Sequence, residues 1–391
     1  MDLPLLVGRS RRSRLVLLAD RDAVRTVLFD QGQRFEVPRS MRRAWSQEGG
    51  GRHSFLFMPE ETALHRPICS SFLDVRRLDA LVQTCESVVE RAASDTRAFA
   101  ERAATSLEAE IGRIVLASFW RHLFRVDDSQ DLSPEVLQLL SRADGILRTG
   151  GTQHPLEAIT GLASIGLQEY FSPLDPEIFA GLGLQGYADE LLRAAVGDNA
   201  RVLLATSNET TASAITWALW FLASDRDLQD RLRAEALNAR RKGDQSGLIE
   251  TKALMNECLR LLPPAAVTSR RSVVEQELCG AALAPGDWVV IPFYVLHRHR
   301  SAWQEPDRFR PERFMPASEG SLLRGAFYPF SAGPFACGGS RFGWRMIVTV
   351  LASLLCKWEV QHMPDSQTPC LDMGRILHPR DPIKLRFRHC G

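Results

Sequence analysis

The chain has 391 residues, 45% of them apolar, which is enough for a large folded body, and its formal net charge of +1 is the remainder of large, nearly cancelling totals. No strongly basic block stands out as a nucleic-acid footprint, so nucleic acid is excluded as a partner. Eight scattered cysteines without a CxxC pair, and no secretory leader, point to a reducing cytoplasm; the longest apolar run, Ala212 to Ala223, includes Ser213 and Thr216 and is too short for a membrane anchor.

Leu15 to Leu18 reads as a short strand, with a helix started by Asp20 or Asp22 and little chain ahead of it. From Leu73 to about Leu123 apolar residues recur at helical spacing with few breakers. Gly150 to Tyr187, rich in glycine and proline, reads as short pieces forming a mobile cover. One long helix is predicted from about Ala188 to Ala223, a second from Asp225 to about Arg241, and a third from about Leu248 to Leu262, where Pro263 and Pro264 stop it. The period then changes. Val273 to Val295 alternates in short runs with turn signals at Gly280 and Pro285-Gly286, which marks a small β region. Pro306 to Pro316 is an irregular meander, a helix begins near Ser340, and Met373 to Arg388 is expected to form a closing hairpin. No internal repeat or linker divides the chain, so residues 1–391 are expected to form a single domain, mainly α with a small β region.

Phe330 to Gly339, FSAGPFACGG, places a lone cysteine, Cys337, in a loop of small residues ahead of an apolar helix. A ligating thiolate needs backbone amides turned toward its sulfur, and Gly333, Gly338 and Gly339 supply the freedom for that curl. The start of the following helix favours sulfur in its charged form. The spacing Phe-x-x-Gly-x-x-x-Cys-x-Gly points to a thiolate socket for a haem iron, with Phe330 packed below the ring. In NECLRLLPP, Glu257 and Arg260 lie three apart on one helical face among leucines, and Arg313 of PDRFRPERF is the third member expected in a buried structural cluster. Inside the long helix, TSNETT interrupts the apolar pattern. It is either a solvent-facing polar stripe or, opposite an iron site, a place where Glu209 gathers protons from water and Thr210 steadies an iron-bound peroxide.

Together these segments resemble the cytochrome P450 family, the haem-thiolate monooxygenases, in the family's order and over nearly the whole chain. The resemblance implies the P450 fold, a helix-rich lobe and a small β-sheet lobe with haem between the long central helix and the cysteine loop. It also implies haem b with Cys337 as the axial ligand, Glu209 and Thr210 as the oxygen-activation pair, and Glu257, Arg260 and Arg313 as a structural triad. Arg270 in VTSRRS matches the family's propionate-binding arginine, with His65 or Arg66 assisting, and Gly333 and Gly339 belong to the loop motif that holds the ring. Three departures stand out. Phe335 occupies the position, two before the cysteine, where the family has arginine or histidine; Glu61 and His65 replace the usual early-helix pair; and Thr206-Ser207 replaces the small pair before the acid and alcohol. Altered propionate anchoring and altered oxygen activation are the expected consequences.

The chain has no GxGxxG after a strand and no cysteine cluster motif, so its two electrons are expected from a separate ferredoxin or flavodoxin and its reductase. Arg66, Arg76, Arg77, Arg341 and Arg345 are the candidate docking charges. Substrate contacts are assigned to Phe55, Leu56, Phe57, Thr206, Thr210, Ala265, Ala266, Val267, Ile376 and Leu377, a lining that suits a hydrophobic product of secondary metabolism such as a terpenoid, a polyketide or an aromatic compound. The arginine bias, with only Lys242, Lys252, Lys357 and Lys384 as lysines, suggests a GC-rich bacterial genome. Two other readings are peroxygenase or oxidative-coupling chemistry on the same haem and, from another class, a catalytically silent haem protein that recruits a partner.

Overall fold

The computed structural model describes residues 5–10, 13–30, 32–38, 62–124, 189–321, 325–373 and 376–390. The expected cover over Gly150 to Tyr187, together with Phe55, Leu56, Phe57 and Glu61, lies outside them. In chain order, strands β1 (Leu5–Ser10) and β2 (Ser13–Leu18) form a hairpin, followed by helix α1 (Arg21–Leu28) and strand β3 (Phe35–Glu36). Helices α2 (Thr62–Phe72), α3 (Leu78–Ala92), α4 (Thr96–Thr105) and α5 (Leu107–Phe124) come next, then α6 (Asp189–Leu222), α7 (Arg226–Lys242) and α8 (Ile249–Leu261). Strands β4 (Thr268–Ser272), β5 (Gln276–Leu278), β6 (Ala281–Leu283) and β7 (Trp288–Ile291) precede the one-turn helix α9 (Phe293–Leu296). Helix α10 (Ser340–Lys357) runs directly into β8 (Trp358–His362), followed by β9 (Leu371–Met373), β10 (Leu377–Pro379) and β11 (Leu385–His389). Among the described residues no helix is long and apolar enough to cross a membrane.

The chain divides into two compact units. The first comprises residues 1–39, 213–340 and 368–381. Its sheet has the order β1-β2-β7-β4-β3, with β2 and β7 parallel and the other neighbours antiparallel. Alternation in β2 buries Val16 and Leu18 beside Val289 and Ile291 of β7, and the apolar face of α1, Val24 and Leu28, closes over them. Asp20 starts α1 by accepting the Ala23 N–H, as Asp225 starts α7 by accepting that of Leu228. Gly243, at φ +63°, ends α7 in the left-handed conformation. The first free amides of α8 are met from outside, because Glu235 of α7 accepts the N–H groups of Glu250 and Thr251.

The second unit comprises residues 40–212, 341–367 and 382–391. Phe99 of α4 stacks on Trp358 at 5.0 Å and meets Phe387 edge-on at 5.4 Å, tying α4 to the β8–β11 ladder. The carboxylate of Glu108, in the first turn of α5, accepts the N–H of Ile383, and burial pushes its pKa up to about 7.

Three expectations are corrected here. A strand, β1, precedes the first predicted one; the sequence between β1 and β2 is Arg11-Arg12, with none of the glycine or asparagine chemistry that marks a hairpin. The β region begins at Thr268, since the polar segment TSRRS is a strand held by ladders to β7 and β3. Met373 to Arg388 is not one hairpin: β9 pairs with β10, while β11 pairs with β8 because Phe387 and Trp358 share the aromatic cluster around Phe99.

Candidate functional site

The cysteine loop is shaped at Gly333, where φ is +74° and an added Cβ would stand 2.0 Å from the carbonyl oxygen of Leu28. Only glycine allows the loop to approach the end of α1 this closely. The chain then makes a short 3-10 turn, Gly333–Phe335, with Pro334 supplying its fixed φ. The Ala336 N–H donates to Gly333 O, that of Cys337 to Phe330 O at 2.9 Å, and that of Ser340 to Cys337 O at 3.2 Å, so main-chain bonds flank the sulfur on both sides. Cys337 is open to solvent yet crowded by protein; the crowding raises its thiol pKa, and a hydrogen bond from the Gly339 amide opposes that rise. The expectation that three glycines provide the curl is corrected. Gly333 and Ser331 (φ +58°) turn the chain, Gly338 and Gly339 keep ordinary φ values, and Gly339 contributes its amide instead. Phe330 is half-buried.

Glu257, Arg260 and Arg313 lie together. Arg260 grips both carboxylate oxygens of Glu257, at 2.7 and 2.8 Å, and donates to the carbonyls of His297, Pro306 and Arg308, so all five of its N–H donors are engaged. Glu257 also accepts the Arg313 side chain at 3.3 Å and the Arg310 amide at 2.8 Å. Both Glu257 and Arg260 are 0% exposed, and the Trp303 ring lies 5.0 Å from the Arg260 guanidinium. The cluster ties α8 to the meander, electrostatically closed.

Arg270, in the middle of β4, is the opposite case. It is 3% exposed, and its Nη1 donates to Thr268 Oγ1 at 3.1 Å and Ser269 O at 2.9 Å. Its Nη2 is buried without a hydrogen-bond partner among the described residues. Burial holds its pKa below the ordinary arginine range, and among the described residues no carboxylate offsets it. The guanidinium lies 4.9 Å from the centre of the Phe335 ring, two residues before Cys337. A buried cation that has an open donor and no ion pair among the described residues, packed on a ring two residues before an accessible cysteine, fits a group that carries a thiolate-seeking metal and a carboxylate, as an iron porphyrin does.

In α6 the hydroxyl of Thr206 donates to Val202 O at 2.7 Å, that of Ser207 to Leu203 O at 2.6 Å, and that of Thr210 to Thr206 O at 2.8 Å. Each hydroxyl proton is thus given to the helix's own carbonyls, and the helix continues unbroken through Glu209, which is half-buried. His65 is 1% exposed, with Nδ1 3.1 Å from Asn199 Nδ2, and the Oδ1 of the same amide accepts the Cys69 thiol at 3.4 Å. Asn199 was not singled out from sequence; the signal was a polar side chain amid NARVLLA. Arg66 is exposed. Of the proposed docking arginines, Arg76 pairs with Asp74, Arg345 with Asp79, and Arg77 donates to His122 O. Ala265 and Val267 are exposed, Ala266 is buried and Ile376 is half-buried. Leu377 is buried, its N–H given to Pro264 O at 2.8 Å and its carbonyl taking the Ser213 hydroxyl at 3.0 Å.

The cytochrome P450 family model matches residues 185–387. Cyclooctatin synthase from Streptomyces melanosporofaciens is 34% identical over 195 residues, covering 49% of this chain and 40% of that protein. Cytochrome P450 3A31 from Mesocricetus auratus is 32% identical over 185 residues, 46% of this chain and 37% of that one. The matched stretch therefore spans well under half the length of these relatives. A crystal structure of a cytochrome P450 (CYP102L1) superposes with a TM-score of 0.75 at 19% identity, covering 99% of this chain and 95% of that one, and shows a shared fold.

Proposed function

The chain belongs to the cytochrome P450 family, and on that premise we propose that it is a haem-thiolate monooxygenase using dioxygen to oxidise a hydrophobic small molecule. The observation that carries this reading is that one compact unit holds both Cys337, its sulfur met by the Gly339 amide, and the buried Arg270, which has no carboxylate partner among the described residues. When bound, haem b supplies the redox chemistry at its iron. Cys337 would hold that iron through sulfur, and the Gly339 amide would keep negative charge on the ligand. Arg270 Nη2 would take a carboxylate of the ring, while Gly333 keeps the loop docked against Leu28. Glu209 is assigned proton uptake at its carboxyl. Thr210, its own proton engaged by Thr206 O, offers oxygen lone pairs for the proton's onward passage.

For the substrate, Phe55, Phe57, Thr206, Ala265, Ala266, Val267, Ile376 and Leu377 are assigned as contacts, of which Ala265 and Val267 are exposed and Ile376 is half-buried. A terpenoid, polyketide or aromatic product of bacterial secondary metabolism suits these contacts. Electrons would come from a ferredoxin or flavodoxin and its reductase, with the whole chain acting as one domain in the cytoplasm. Engagement of the Thr206, Ser207 and Thr210 protons within α6 favours one alternative, peroxide-driven turnover, which product formation from hydrogen peroxide without a reductant would establish.

The test is the ferrous carbon monoxide difference spectrum. The wild-type protein is expected to show a strongly red-shifted Soret band, and Cys337→Ser to lose it; an unshifted wild-type band overturns the assignment.

A further inference from the structure

Phe335 is 39% exposed, an apolar ring left open to solvent beside the cysteine loop. Its contact accounts for its presence: the Arg270 guanidinium sits 4.9 Å from its centroid. A ring face attracts a cation without accepting its hydrogen bonds in the plane of the fork, so it steadies the guanidinium while leaving its N–H donors available. Thr268 and Ser269 fix the same guanidinium through Nη1, which leaves buried Nη2 as the open donor. The ring itself is held by backbone, since Gly333 can only sit against Leu28 and the 3-10 turn carries Phe335 directly from it. A carboxylate at position 335 would pair with Arg270 and close the site, as Glu257 closes the site of Arg260. A second cation there would add repulsion to a charge already short of solvent.

We propose that Phe335 is a positioning residue whose ring holds the Arg270 guanidinium so that Nη2 receives a carboxylate of the bound iron porphyrin. The chain then anchors that carboxylate with one cation and one aromatic face in place of two cations. The proposal rests on the haem reading above, and its test separates the two.

The full-length protein is loaded with iron protoporphyrin IX or with its dimethyl ester, and the transfer of each to excess apomyoglobin is timed. The wild-type protein is expected to release the diester much faster than the free diacid. Phe335→Leu should shrink that preference by about tenfold, whereas Phe335→Tyr and Phe335→Trp, which keep a ring face, should preserve it to within about twofold. Arg270→Gln should abolish it, and adding Phe335→Leu to Arg270→Gln should have no further effect, which a merely structural phenylalanine would not produce. The exposure of Phe335 makes its leucine variant tolerable to the fold, so the result does not depend on Arg270→Gln folding. An unchanged preference in Phe335→Leu overturns the proposal and leaves the haem reading standing, as does a wild-type protein that binds both porphyrins without distinguishing them. A wild-type protein that takes up neither porphyrin overturns both.

Discussion

Arg260 and Arg270 are buried arginines of the same unit, and their surroundings solve the same electrostatic problem in opposite ways. Arg260 has a carboxylate, three carbonyls and an aromatic face, and every donor is used. Arg270 has a threonine hydroxyl, one carbonyl and an aromatic face, with Nη2 left over. A saturated charge cluster can only hold the fold together, because nothing is left to offer a newcomer. An unsaturated one costs stability in isolation and recovers it when an anion arrives, which is the physical signature of a binding site.

The comparison predicts effects of different size and sign. The largest follows from Glu257→Ala, which strands Arg260 at 0% exposure; unfolding in denaturant should show a loss of about 3–5 kcal/mol whether or not haem is bound. Glu108 is a third way to bury a charged group, namely by neutralising it. Its folded pKa of about 7 lies above the ordinary value of 4.5, so its contribution favours the folded state at low pH and is lost as pH rises from about 4.5 to 7. Glu108→Gln should flatten that slope, raising stability near pH 8 by about 3 kcal/mol and leaving it unchanged near pH 4, as followed by thermal unfolding across pH. The smallest effect sharpens the contrast most. Arg270→Met, compared with wild type in the absence of haem, should leave stability unchanged or raise it by about 1 kcal/mol, while the same change weakens haem retention. A destabilised haem-free Arg270→Met protein would show that Arg270 is structural after all.

Much of this was legible in the chain because it rests on local chemistry. Asp225 and Gly243 bracket α7, the prolines after Leu262 stop α8, and the Phe330 to Gly339 spacing locates the loop, all from neighbouring residues. The illegible parts depend on partners far away in sequence. TSRRS carries no apolar alternation, and it is a strand only because β7 and β3 lie on either side of it. The glycines of the loop look interchangeable in sequence; only the approach of Leu28 singles out Gly333. Asn199, the partner of His65, lies 134 residues away on another helix, and no spacing rule reaches that far. That Arg270 has no carboxylate partner among the described residues is likewise a property of the assembled surroundings.

The contact between Gly333 and Leu28 also sets a schedule. Loop closure over such a separation is slow compared with the local turns of a helix, and it is rewarded only once both ends already have their shape. Helix α1 is synthesised long before Gly333, and its C-terminal end must wait for the loop that docks on it. The cysteine loop is therefore among the last parts of this unit to acquire its form, and a haem supplied before that moment would meet a thiol without its socket. Cofactor loading in a cell should accordingly track emergence of the cysteine loop, and slowing synthesis before residue 333 should delay it in full.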